Sequence, residues 1–361
     1  MFDLHKISHG PESPSKSTAT PDDAKKACRE MLRIRHMEMV LSSLYQSGKI
    51  RGFCHLSIGQ EAIPVGISLH LGPEDMVITS YRCHGFALIT GVDAKEIICE
   101  QVGSSEGCAR GKGGSMHLYG KRFLGGHGIV GAQVSLGLGA AFAHKYRELL
   151  KDPDCLKKTG EDKPGEPVGS WTMLPWKKFQ CREVTVAVFG DGAANQGQVY
   201  ESLNMAALWN LPIVFVCENN RYGMGTSVNR ASASESFYDR FSFVPGIRLD
   251  STDVFAVASA FKFARKHALT KGPIVLECVT YRYNGHSMTD AFSGYRTKQE
   301  VETFENHDSI EKTKDYLGED AGRTVSELSE AAHREMAALK EVSLNSQRCA
   351  PTDLYTDILI Q

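Results

Sequence analysis

The spacing of apolar residues divides the chain into alternating helices and strands. Ala24, Ala27, Met31, Ile34, Leu41 and Leu44 recur at helical intervals, with Met37 slightly off the stripe. Thr20 caps this predicted helix, Pro21 suits its first turn, and Asp22 and Asp23 complement its dipole. "QEAIPVGISLHL" (60–71) predicts a shorter helix, and "MVITS" (76–80) a strand that runs straight into Tyr81-Arg82-Cys83-His84-Gly85. "AQVSLGLGAAFAHKY" (132–146) predicts a helix with small residues on one face. Farther on come the strand "EVTVAVF" (183–189), a helix over 195–209 and the strand "PIVFVCE" (212–218). The helix "DVFAVASAFKFARKHAL" (253–269), the strand "GPIVLECVTY" (272–281) and a mainly helical 299–345 complete the series. Near-continuous apolar strands separated by helices predict an α/β fold, a parallel sheet with helices on both faces.

Two stretches break the pattern. From 103 to 131 the chain is glycine-rich and predicts a long functional loop, ordered by the interleaved Met116, Leu118, Tyr119, Phe123, Leu124 and Ile129. Residues 150–180, dense in Lys, Asp, Gly and Pro, predict a surface insertion that Trp171, Leu174 and Trp176 pin to the body. The expected organisation is a flexible tail (1–20), an α/β domain (21–300) and a mainly helical C-terminal region (301–361).

Composition narrows the class of protein. Its 361 residues, 42% hydrophobic and 23% charged, suit a globular chain of one large domain or two ordinary ones. A net charge of -2 gives no basic surface for nucleic acid, and no apolar stretch predicts a membrane span. Ten cysteines lie without a CxxC pair, which favours reduced, mostly buried thiols over disulfides or a zinc site. The first 20 residues show no targeting segment, and the His5/His9 spacing there reads as chance. Gly137-Leu138-Gly139 fails as a dinucleotide fingerprint, because Phe142 holds the sixth position and no strand leads in.

Candidate chemistry gathers at "VFGDGAANQG" (188–197). Asp191 leaves the C-terminal end of a buried strand, the edge at which open parallel sheets bind ligands. Asn219 and Asn220 follow the next strand, the latter 29 residues after Asp191, an interval that fits one crossover. On neighbouring strands, the Asp191 carboxylate and the Asn220 carboxamide oxygen would share one hard cation such as magnesium. Gly190 and Gly192 would admit a diphosphate to a helix beginning just after them. The alternative is two polar strand ends with ordinary turn glycines.

The Gly-Asp-Gly and Asn-Asn pair resembles the thiamine-diphosphate motif. "IRGFCHLSIGQEA", "SYRCHGF", "GKGGSMHLY", "GIVGAQV", "ENNRYGMGTSV" and "YRYNGHSMTD" extend that likeness across nearly all of 30–310. Together they resemble the pyruvate dehydrogenase E1 α subunits of the thiamine-diphosphate-dependent 2-oxo acid dehydrogenases. The resemblance implies the diphosphate-binding module of the thiamine-diphosphate fold, with magnesium held by Asp191, Asn220 and the carbonyl of Tyr222. It implies that Tyr81, Arg82, Gly192, Ala193 and His286 meet the cofactor, and that Gly128 and Val130 meet its aminopyrimidine ring through backbone atoms. His55 and His286 would act on the substrate, while His84 and His127 receive no catalytic role.

The implied reaction is oxidative decarboxylation of pyruvate with transfer to the lipoyl domain of an E2 partner. The acid that activates the cofactor would come from an E1 β subunit in an α2β2 heterotetramer, to which the "LGLGAA" face contributes. Ser287 matches a family phosphorylation site, implying a kinase and phosphatase, whereas the second such site falls on Gly294 with Ser293 displaced by one. Asn284 stands where relatives often have His. A branched-chain or acetoin-type 2-oxo acid, or a catalytically silent regulatory subunit, are the alternatives. The implied compartment is the mitochondrial matrix for a eukaryotic source and the cytoplasm otherwise.

Overall fold

The computed structural model describes residues 2–8, 13–14, 19–151, 181–290 and 294–357. Seven strands form one sheet: β1 (Phe2–His5), β2 (Met76–Ser80), β3 (Phe123–His127), β4 (Thr185–Gly190), β5 (Ile213–Asn219), β6 (Gly246–Asp250) and β7 (Ile274–Val279). Their order across the sheet is β1-β6-β7-β5-β4-β2-β3. Every pairing is parallel except β1 with β6. The helices longer than one turn are α1 (Pro21–Gln46), α2 (Ala62–Ser68), α3 (His84–Ile89), α4 (Ala94–Gln101), α5 (Ala132–Leu150), α6 (Gly197–Trp209) and α7 (Val254–Lys271). Three more, α8 (Lys298–Glu305), α9 (Ser309–Thr313) and α10 (Ala321–Asn345), follow the last strand.

Helices cover both faces of the sheet because the central strands are apolar on both. Val186 and Val188 of β4, with Val214 and Val216 of β5, join the core under α1, α2 and α7. The residues between them, Ala187, Phe189, Phe215 and Cys217, join a second core under α5 and α6. That alternation is the two-residue period of a strand. Helix α1 begins as its sequence predicts, with a reciprocal capping box between Thr20 and Asp23. Its stripe packs against α10 through Leu328, Ala332 and Met336, and Arg33 binds Glu335 at 2.8 Å beside that seam.

Four local expectations are corrected. Phe2–His5 are not a flexible tail but an edge strand paired along β6; four residues are too few to announce themselves by pattern. The glycine-rich stretch contains β3, an edge strand paired with β2 across an irregular register. Its Gly126 is required by close approach, since a Cβ there would lie 2.4 Å from the Met116 carbonyl oxygen. Strand β6 carries no strong apolar run and escapes the pattern. The chain after Gly192 forms a single 3₁₀ turn, Ala193–Asn195, and α6 starts only at Gly197. The insertion residues 152–180, with Trp171, Leu174 and Trp176, lie outside the described residues, as do His9 and Ser293.

Candidate active site

Four adjacent parallel strands bring the candidate residues to one edge. Strand β4 pairs with β5 in the register Gly190↔Glu218, so Asp191 and the Asn219-Asn220 pair leave the sheet side by side. On the other flank of β4, β2 delivers Ser80, Tyr81 and Arg82. Beyond β5, β7 leads into Tyr281, Arg282 and the turn that holds His286. These ends enclose a cleft of about 250 Å³ lined by Tyr81, Arg82, Val130, Asp191, Gly192, Ala193, Asn220, Tyr222 and His286. Gly128 and His55 do not line it directly. The His55 ring instead packs 4.3 Å from Tyr81 and 5.3 Å from His286, forming an aromatic cluster beside the cleft. Gly128 lies in the segment before Val130, and a Cβ there would sit 3.7 Å from Met116 and His117.

The turn after β5 divides its work between two asparagines. Asn219 is structural: its Nδ2 donates to Glu277 at 2.8 Å and its Oδ1 accepts the Arg221 N–H at 3.2 Å. Asn220 faces the cleft; its Oδ1 accepts the Tyr222 N–H at 3.3 Å and its Nδ2 donates to Gln60 Oε1 at 3.1 Å. Arg221, which follows them, takes φ 71°, the left-handed conformation that lets so tight a turn close.

Electrostatically the cleft is a mixed set of buried charges. Burial raises the Asp191 carboxyl to about 6, although the N–H groups of Asp191 and Asn220 and the Arg282 charge pull the other way. Burial also raises Glu218, on the cleft wall, to about 7, against the opposing charge of Arg82. Arg282 is 1% exposed, and burial followed by repulsion from Arg82 lowers it to about 10. Its guanidinium donates to the Asn284 carbonyl at 3.1 Å and the Tyr295 hydroxyl at 3.1 Å. Arg82 donates to the carbonyls of Leu56 and His286, so it is fixed from two sides.

Both candidate histidines are held neutral. Burial, reinforced first by Arg82, lowers His55 to about 2 and His286 to about 4. The Nδ1 atoms of both are buried without a hydrogen-bond partner. Buried polar atoms are normally satisfied, so two orphaned nitrogens in one cluster mark a place for a ligand. His286 is positioned by its backbone N–H, which donates to Asp290 at 2.7 Å. His84, by contrast, is completed by Glu38 and Ser115 at 2.9 and 3.0 Å and is a core residue.

The donor set suits a hard cation shared with an anionic ligand. It would comprise one carboxylate, one carboxamide oxygen and the Tyr222 carbonyl, which here accepts from the Arg282 guanidinium at 3.5 Å. Among the described residues no cluster of three His, Cys, Asp or Glu side chains forms a metal site. A cation here would therefore draw further oxygens from its ligand, for which Arg82 and Arg282 supply countercharge. Sequence reasoning missed Arg282, Glu218 and Gln60 as site residues; none belongs to a spacing pattern, the strand order brings in Arg282 and Glu218, and the hydrogen bond to Asn220 brings in Gln60.

Ser287 is buried, and its hydroxyl shares a hydrogen bond of 2.8 Å with Thr289. The "LGLG" helix divides its glycines: Gly137 packs on the sheet, whereas Gly139 has open space around it.

Comparison with known proteins matches residues 29–351 to the model of a family described as "Dehydrogenase E1 component". The chain is 46% identical over 330 residues to the pyruvate dehydrogenase E1 component subunit alpha, somatic form, mitochondrial, of Bos taurus. It is 46% identical to the Homo sapiens protein of the same name, and each match covers 91% of this chain and 76% of the relative. The Solanum tuberosum pyruvate dehydrogenase E1 component subunit alpha, mitochondrial, is 42% identical, covering 98% of this chain and 84% of its own.

Proposed function

This chain belongs to the dehydrogenase E1 component family, and we propose that it is the α subunit of a pyruvate dehydrogenase E1. The reaction is thiamine-diphosphate-dependent oxidative decarboxylation of pyruvate. Carbon dioxide leaves, and the two-carbon fragment passes to an E2 lipoyl group whose disulfide takes up the electrons. The observation that carries this reading is the gathering of Asp191, Asn220, Arg82 and Arg282 at the ends of four adjacent parallel strands.

In this reading, Asp191, Asn220 and the Tyr222 carbonyl would hold magnesium, which would supply positive charge for the diphosphate. Arg82 and Arg282 balance the remaining phosphate charge. Gly192 and Ala193 meet the diphosphate through backbone, and Tyr81, Gly128 and Val130 complete the cofactor's walls. Thiamine diphosphate, when bound, supplies the nucleophilic carbon and the electron sink that the side chains lack. The neutral imidazoles of His55 and His286 are hydrogen-bond partners for the substrate's carboxylate and carbonyl oxygens. Each neutral ring keeps one N–H donor, which is what these acceptor oxygens require.

A β subunit completes the site with the acid that activates the cofactor, and the α2β2 assembly delivers the acyl group to the E2 lipoyl domain. The mitochondrial matrix is the assigned compartment, in keeping with the relatives' names. Regulation enters at Ser287. A phosphate there adds about two negative charges. Ser287 directly follows His286, whose N–H Asp290 holds, so the added charge would loosen that turn and activity would fall.

The test is to purify the chain with its β partner and compare pyruvate with branched-chain 2-oxo acids and acetoin. Acetylation of a lipoyl domain from pyruvate supports the reading. Preference for another substrate, or failure to bind thiamine diphosphate with magnesium, overturns it.

A further inference from the structure

We propose that Gln60 is a positioning residue for the magnesium site: it fixes which end of the Asn220 carboxamide is available to the metal. The inference rests on the reading of Asn220 as a magnesium ligand given above. A carboxamide presents an acceptor at one end and two donors at the other, and the two ends have nearly the same shape. Only the oxygen can bind a cation. The side chain must therefore be held against a half-turn that would aim its NH2 at the metal.

Two contacts hold it. The Tyr222 N–H donates to Oδ1 at 3.3 Å and leaves that oxygen a second lone pair. Gln60 Oε1 accepts from Nδ2 at 3.1 Å, between two side chains that are both largely buried. A turned amide would set NH2 against the Tyr222 N–H and carbonyl against the Gln60 carbonyl, a mismatch at both ends.

Gln60 can do this because its neighbours are clamped. The buried Glu61 carboxylate pairs with Arg35 and accepts the Gly59 N–H at 3.0 Å. The Tyr283 N–H donates to the Ile58 carbonyl at 3.2 Å, tying the segment to the chain after β7. Gly59, with φ 95°, leaves no room for a side chain, since a Cβ would lie 2.7 Å from the Tyr281 carbonyl oxygen. The Gln60 backbone is thus set before any ligand arrives. Partners that orient metal ligands typically govern affinity by about 10–100-fold.

The test is a double-mutant cycle on the assembled α and β subunits. Magnesium affinity is measured by calorimetry with thiamine diphosphate saturating, so that turnover is not the readout. Gln60→Met, which keeps the length and removes the acceptor, should weaken magnesium binding by about 10-fold or more. Asn220→Asp has no NH2 to orient, and in that background Gln60→Met should change affinity by less than about 3-fold. Gln60→Leu replaces the Met variant if the latter does not assemble. Equal losses in both backgrounds would mean general damage and overturn the proposal. No loss from Gln60→Met while Asn220→Ala abolishes binding would overturn it and leave the site reading intact. Unchanged affinity in Asn220→Ala would overturn both.

Discussion

Replacing Gly137 and Gly139 of α5 by alanine, one at a time, should move stability in different directions although the two lie one residue apart. Alanine relieves the entropic cost of glycine in a helix at either site, a gain of about 0.5–1 kcal/mol. At Gly139 nothing lies within 4 Å of the added Cβ, so that gain stands. At Gly137 the Cβ would be 2.8 Å from Ala187 Cβ and 3.0 Å from Ile78 Cγ2. Carbon atoms prefer about 3.5–4.0 Å, so helix and sheet must separate by close to 1 Å, an overpacking cost of about 1–3 kcal/mol. The propensity gain cancels between the variants, and the gap between them should equal that overpacking cost. Urea unfolding midpoints of the two proteins measure it. Ile78 and Ala187 sit on β2 and β4, the strands that carry Arg82 and Asp191, so Gly137→Ala should also weaken thiamine diphosphate binding. Equal midpoints, or a less stable Gly139→Ala protein, would refute the packing of α5 on the sheet described above.

Arg282→Leu should weaken thiamine diphosphate binding by about 30-fold or more, the cost of removing a buried countercharge from an anion, with Arg282→Lys intermediate; a cofactor titration measures both. Glu100 accepts N–H groups from Ala109, Gly111, Gly113 and Gly114 at 2.7–3.2 Å, so Glu100→Gln, which turns an NH2 toward two of them, should cost about 1–3 kcal/mol. Faster hydrogen exchange at Gly111 and Gly113 would report that loss. His267, lowered to about 4 by burial and then by Lys271, gives a pH signature. The unfolded chain binds more protons than the folded one between about pH 6.5 and 4, so this contribution to stability is complete above that window. It falls away as acid is added, by at most about 1.4 kcal/mol per pH unit. Unfolding curves of His267→Gln should therefore flatten across that window, and curves parallel to the parent would contradict the assignment.

Much of the architecture was legible because the sheet's centre is simple. The apolar runs of β4, β5 and β7 exceed what a helix stripe allows, and the crossover length made β4 and β5 neighbours, as the register Gly190↔Glu218 bears out. The edges were illegible for a physical reason. Strands β1 and β6 are four and five residues long, and β3 contains two glycines whose role is close approach rather than pattern. In the cleft, Asp191 and Asn220 could be found because turn glycines and paired amides advertise them. Arg282, Glu218 and Gln60 could not, since a single charged or amide residue has no period. Gly192 does not open directly into a helix, because one 3₁₀ turn separates it from α6.

The central claim is that Asp191 supplies the charged oxygen through which magnesium joins thiamine diphosphate to this chain. Cofactor binding to the assembled α and β subunits, measured with and without magnesium for the parent and for Asp191→Ala, tests it most directly. Binding should depend on magnesium in the parent and be absent in Asp191→Ala, with the assembly intact. Magnesium-dependent binding that survives in Asp191→Ala would contradict it.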